Sequence, residues 1–249
     1  MPKQDQTIRE LVIRDLDGAL TKSKELKTVK YPSSVLTQIL ELMISRSYFR
    51  KNRIKKFKKR LKQVGLDLSQ ISPETLGDSQ WNNVLNEFNT PRSNIIRKVD
   101  SFLAQLGDRS LLEWVQDRYN MRAKRDPFLK EIMFGEKGVD LLLRDCGYFD
   151  RIPIDIHEQR FLVRTGVFQR YSERGDPLRK ADFHHALTAF CRNELEGVKF
   201  ESLSLEGAPG VVDWAIWYFC AKEWGDICGE RPRCNMCPLV EACEFGSSH

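Results

Sequence analysis

Apolar positions recur at intervals of three and four along most of the chain, the period of helices that bury one stripe. Pro32-Ser33-Ser34 can open a helix whose stripe is Val35, Leu36, Ile39, Leu40 and Met43. Ile54, Phe57, Leu61 and Val64 repeat at 3-4-3 spacing in a second helix. A third runs through Ile95, Ile96, Val99, Phe102, Leu103 and Leu106, with Gly107 placed to supply its C-terminal turn. Asp126-Pro127 reads as an N-cap followed by proline at the first helical position, and Leu129, Ile132 and Met133 form the short stripe behind it. A tight turn at Phe134-Gly135-Glu136 then leads into Val139, Leu142, Leu143 and Cys146, closed by Gly147. Residues 127–147 are therefore expected to form a helix, a short hairpin and a helix. Asp176-Pro177 opens a further helix through Phe183, Leu187 and Phe190; Gly197 to Gly210 reads as a loop, and Val211 to Ala221 as a buried, aromatic-rich helix. No succession of alternating strands and no internal repeat is present, so an all-α fold is expected.

Composition narrows the class. The chain has 249 residues, 41% of them hydrophobic, enough to bury a core and exclude general disorder. The longest uninterrupted apolar run, Trp214 to Ala221, falls far short of the roughly 18 residues of a membrane span. The start, Met-Pro-Lys-Gln-Asp-Gln, lacks the apolar region of a secretion signal, so an intracellular protein, in cytoplasm, nucleoid or nucleus, is expected. Gly246-Ser247-Ser248-His249 reads as an appended tag and is set aside.

The net charge of +5 is concentrated. Nine of the thirteen residues from Arg50 to Lys62 are Lys or Arg, and without them the chain would carry −4. That helix is either a solvated cationic face or a surface suited to phosphate backbone.

Seven cysteines is an odd number, and four of them fall within the last 22 residues. This argues for metal or cluster chemistry in a reducing compartment over a disulfide framework. Cys228, Cys234, Cys237 and Cys243 are spaced C-x5-C-x2-C-x5-C. Structural zinc usually draws on two close pairs separated by a longer loop. One close pair flanked by single cysteines suits a [4Fe–4S] cubane, each iron taking one thiolate, with zinc as the alternative. Cys146, Cys191 and Cys220 lie in apolar stretches and read as small core residues. Between the first two ligands, Arg231 and Arg233 could hold a phosphate or balance the cluster's negative charge.

The tail Cys228…Arg231-Pro232-Arg233-Cys234-Asn235-Met236-Cys237…Cys243-Glu244-Phe245 resembles the cluster loop of the endonuclease III branch of the helix-hairpin-helix DNA glycosylases. Upstream, Ile154-Asp155-Ile156-His157-Glu158-Gln159-Arg160 is similar to that family's catalytic segment, an apolar residue followed by Asp-x-His-x-x-Arg. Lys137 lies eighteen residues before Asp155, where bifunctional members carry a nucleophilic lysine. The segments keep the family's order from about Pro127 to Phe245. The chain departs from the family in having one hairpin glycine, Gly135, where Leu-Pro-Gly-x-Gly is usual, and a first cysteine interval one residue shorter. A second alignment takes Gly135-Glu136-Lys137-Gly138 as the hairpin itself and moves Lys137 off the catalytic position. Near Ser45-Arg46-Ser47 there is no clear counterpart of the family's glutamine wedge.

The resemblance implies two helical lobes with DNA in a cleft between them. A barrel lobe would span 35–151, with the hairpin near 127–147. A cluster lobe would combine 1–34 with 152–249. Gly135, Gly138, Arg231 and Arg233 would touch DNA, and Lys137 and Asp155 would meet at the junction. The implied partner is duplex DNA with a damaged base, oxidised by first expectation, bound by a monomer. A base within a duplex must be extruded before it can be attacked. Cleaving its glycosidic bond builds positive charge on the sugar, which Asp155 would stabilise. Asp155 is equally placed to N-cap the next helix. A neutral Lys137 amine would attack the anomeric carbon and form a Schiff base. The alternatives are a monofunctional glycosylase without lyase activity and a non-catalytic DNA-binding module with a structural cluster. An electron carrier is disfavoured, since no flavin or nucleotide motif accompanies the cysteines.

Overall fold

The computed structural model describes residues 9–10, 32–44, 50–91, 94–121, 126, 128, 135–200, 202–222, 225–241 and 243–246. The stripe at Leu129, Ile132, Met133 and Phe134, the Ser45-Arg46-Ser47 segment, Pro127 and the last three residues lie outside them. The fold is all-α, with one minimal hairpin among the described residues. None of the described helices is long and apolar enough to cross a membrane.

The chain divides into two compact units, one ending at Gly147 and the other running from Tyr148 onward and taking in Arg9 and Glu10. The division lies slightly before the sequence boundary at 151/152. Gly147 ends the preceding helix, and the carbonyl of Phe149 accepts from the Gly210 amide (2.8 Å), tying 148–151 to the second unit.

In the first unit, α1 (Pro32–Ile44) buries Leu36, Ile39, Leu40 and Met43 completely and packs on α2 (Arg50–Gln63), α5 (Ile95–Leu106), α6 (Leu111–Asn120) and α7 (Glu136–Asp145). A helix apolar on nearly every side must be central. The short α3 (Pro73–Leu76) and α4 (Ser79–Phe88) lead into α5. Of the stripe expected on α2, Phe57 and Leu61 are buried, and Phe57 meets Phe88 edge to face at 5.3 Å. Phe102, Trp114 and Phe128 form a chain of edge-to-face contacts at 5.1 and 4.8 Å. Capping boxes at Ser72 and Ser110 start α3 and α6. The buried Asp126 carboxylate accepts from the Phe128 amide (2.9 Å) and from Arg118 Nη1 (2.7 Å).

The second unit packs α8 (Ile156–Arg164), α9 (Val167–Tyr171), α10 (Lys180–Glu194) and α11 (Pro209–Cys220) around Phe161, Phe183, Phe190, Val212 and Ile216. Three expectations are corrected by this unit. The helix read from Asp176-Pro177 starts only at Lys180, because the buried Asp182 carboxylate accepts from the amides of Arg174 (3.2 Å) and Asp176 (3.0 Å) and pins the approach as a loop. The expected loop at 197–210 contains an antiparallel pair, β1 (Lys199–Phe200) with β2 (Leu203–Ser204), then a 3-10 turn. Gly246, set aside as part of a tag, is buried against Val240, and a Cβ there would lie 2.9 Å from the Val240 carbonyl oxygen.

Candidate functional site

Cys228, Cys234, Cys237 and Cys243 all line one small hollow of about 20 Å³, which opens partly to solvent. The chain reaches it by a tight course after α11. The Ile227 amide donates to the Phe219 carbonyl (3.0 Å), the Arg233 amide to Ile227 (2.8 Å), and Cys234–Met236 form a 3-10 turn. Among the described residues no three His, Cys, Asp or Glu side chains are gathered as ligands of a single ion. The thiols nonetheless share one electrostatic neighbourhood. Burial, and then the charges of Cys228, Cys243 and Cys234, push the Cys237 thiol up to about 11.

Arg164, in the last turn of α8, organises this loop. Its guanidinium donates to the carbonyls of Gly229 (2.6 Å), Cys228 (3.2 Å) and Glu230 (3.3 Å), stands 3.6 Å from Cys228 Sγ and lies 5.2 Å from the Phe245 ring centre. Its carbonyl accepts from Cys243 Sγ (3.1 Å) and the Phe245 amide (3.1 Å). One residue thus holds both ends of the cysteine segment. Cys220, the last residue of α11, is the neighbour that chiefly lowers the Cys228 thiol, with Arg164 and Arg160 adding to it, to about 6 against the cost of burial. Neither role was legible beforehand, since Arg164 is one of many arginines and Cys220 sits in an apolar run.

The two arginines of the loop differ. Both are exposed, but Arg233 is tied to its own loop, donating to the Asp226 carboxylate (2.6 Å) and carbonyl (2.8 Å), and no such bond holds Arg231 among the described residues.

Asp155 N-caps α8: its carboxylate accepts from the His157 amide (2.7 Å), and Glu158 accepts from the Asp155 amide (2.8 Å), a complete capping box. Glu158 is buried, and burial, followed by the charges of Asp213 and Asp155, raises its carboxyl well above the usual range. The nine residues of α8 rise about 13.5 Å, so one rigid helix carries Asp155 at its start and Arg164 at its end.

Lys137 is the second residue of α7 and half-buried. Gly135 caps that helix with φ +101° and ψ −176°, a conformation open to glycine alone. Gly138 lies inside α7, its amide donating to the Gly135 carbonyl (3.0 Å). The turn at Gly135 thus opens α7, and Gly138 falls in its first turn.

The geometry defines a mostly helical protein whose four-cysteine loop, clasped by an arginine, lines a small hollow. Compared with models of known protein families, with curated proteins and with solved structures, the chain matches none.

Proposed function

We propose that this protein is a DNA-repair glycosylase with abasic-site lyase activity, a member of the endonuclease III-like helix-hairpin-helix enzymes. On this reading two lobes hold a duplex with a damaged, oxidised base between them. The observation that carries the reading is the single helix α8, which bears Asp155 at its N-cap and, at its other end, the arginine that clasps the four-cysteine loop. Two of the sequence features behind the resemblance, the Asp155 segment and the cysteine loop, are thus tied to one helix.

The cysteine site fits a [4Fe–4S] group. What supports it is the donor set: four cysteines line one hollow, and a close pair flanked by single cysteines offers one thiolate to each iron, where structural zinc usually draws on two close pairs. The cluster would be held by Cys228, Cys234, Cys237 and Cys243 and would supply folding energy to the loop, not redox chemistry. Arg231, exposed on that loop, would contact a phosphate.

The chemistry falls to Asp155 and Lys137. The Lys137 amine forms a bond to the anomeric carbon of the flipped nucleotide as the glycosidic C–N bond breaks, and the departing base takes up a proton. Asp155, ionised, stabilises the positive charge that develops on the sugar. Loss of the amine's protons and opening of the sugar then leave a Schiff base.

Borohydride trapping tests this on duplexes carrying an abasic site, thymine glycol, 8-oxoguanine, uracil or no damage. A covalent adduct is expected that is absent in Lys137→Gln, with base release lost in Asp155→Asn and the best-trapped duplex naming the substrate. Base release without an adduct would make the enzyme monofunctional. No release and no adduct on any duplex would leave a DNA-binding module. Iron and acid-labile sulfide in equal amounts, without zinc, are expected in the purified protein.

A further inference from the structure

We propose that the outward face of α2 is a ridge that binds the phosphate backbone of duplex DNA through Lys55, Lys59 and Lys62, bordered by Lys56. The choice of duplex DNA as the polyanion rests on the function proposed above.

The structure sorts the seven cations of 50–62 whose side chains are described into groups that the sequence leaves undivided. At 3.6 residues per turn, Ile54, Phe57 and Leu61 share the inward side, where Phe57 and Leu61 are fully buried. On one flank Lys58 pairs with Glu41 of α1 at 2.7 Å. On the other flank Arg60 pairs with Glu87 of α4 at 2.7 Å, and Arg53 donates to the Phe88 carbonyl. These three cations fasten α2 to its neighbours.

What is left points outward. Lys55, Lys59 and Lys62 stand at i, i+4 and i+7, within about 60° of one another around the helix. All three, and Lys56 beside them, are exposed, and none has an ion-pair partner among the described residues. The Asp67 carboxyl is held low mainly by the amide and hydroxyl of Ser69, with Lys62 the smallest contributor. Like charges at i and i+4 on one helix repel, so the face is a cost to α2 unless a polyanion neutralises it. The three lysines cover about 10.5 Å of helix axis, and their four-carbon stems let each ammonium find its own phosphate oxygen.

The test is the salt dependence of binding of the whole protein to an undamaged duplex, in wild type and in Lys55→Gln/Lys59→Gln/Lys62→Gln. Each lysine that displaces a counterion contributes about 0.9 to the slope of log K against log [salt], so three contribute about 2.7, or roughly 500-fold at 0.1 M relative to 1 M. A slope shallower by about 2–3 in the triple variant, with unchanged helicity, is the expected result. A control variant, Lys58→Gln, should leave the slope within about 0.5 of wild type. An unchanged slope in the triple variant overturns the proposal, as does tighter binding to anionic vesicles or single-stranded RNA than to the duplex. Asp155→Asn, run alongside, separates the two readings. If base release is absent in wild type while the slope still responds to the lysines, the catalytic reading fails and the ridge stands.

Discussion

Arg164→Met removes a guanidinium while keeping most of the stem, and it is expected to unclasp residues 225–246 without unfolding the helices. Hydrogen bonds to a charged donor are worth about 1.5–3 kcal/mol each, but those to Gly229, Cys228 and Glu230 share one guanidinium and do not add in full. The 2.6 Å bond to Gly229 counts at full strength and the two longer ones as fractions. The contact over the Phe245 ring adds about 0.5–1 kcal/mol. The loop then stands to lose about 2–4 kcal/mol against local opening. At about 1.4 kcal/mol per factor of ten, the open population rises roughly 30- to 900-fold.

Hydrogen exchange read by mass spectrometry tracks that opening directly. Three amides report it: Ile227, bonded to Phe219; Arg233, bonded to Ile227; and Phe245, bonded to the backbone carbonyl of Arg164 itself. The Phe245 amide is the most telling, because its acceptor survives the substitution and only the movement of the loop can expose it. The Leu195 amide, bonded to Cys191 at the end of α10, serves as the core control. Arg164→Lys keeps the charge but not the fork, and an intermediate loss of protection is expected. Loop protection within about threefold of wild type in Arg164→Met would refute the clasp. Equal loss at Leu195 would also refute it, by making Arg164 a support of the whole unit.

Two further outcomes rest on buried charge. Asp126→Ala leaves Arg118, 5% exposed and stacked 5.3 Å over Trp114, without its carboxylate, and should cost about 3–5 kcal/mol in urea unfolding, where a loss under about 1 kcal/mol would contradict the pairing. Glu158 retains its proton in the fold above the ordinary carboxylate value of 4.5, so the native chain binds a proton that the unfolded chain has lost. Stability should therefore fall as pH rises above that value, by up to about 1.4 kcal/mol per unit, until the raised native value is passed. Glu158→Gln still accepts the Asp155 amide and should flatten that fall; an unchanged slope between about pH 5 and 8 would show that Glu158 is not its source.

Periodicity made the helices legible because a buried stripe repeats whatever its partners are. Val35 to Met43, Phe57 with Leu61, and Ile95, Val99, Phe102 and Leu106 are buried as their spacing selects, while Ile54, Val64, Ile96 and Leu103 at the stripe edges are half-buried. Where the reading slipped, a single side chain had captured backbone from a distance. Asp182 delays α10 by accepting two amides six and eight residues upstream, and no local pattern announces such a bond. The candidate site divides along the same line. The cysteine spacing is local and could be read directly. The clasp joins Arg164 to Gly229 across 65 residues and exists only because α8 ends beside the loop. Cys220 reads as a core thiol by its neighbours in sequence and meets Cys228 by its neighbours in space. The same distinction divides the basic helix: its nine cations look equivalent in sequence, and only the placement of Glu41 and Glu87 on adjacent helices separates those that fasten the fold from those that face a partner. A charge run is informative about binding once its internal ion pairs have been subtracted, and for α2 the subtraction leaves one coherent face.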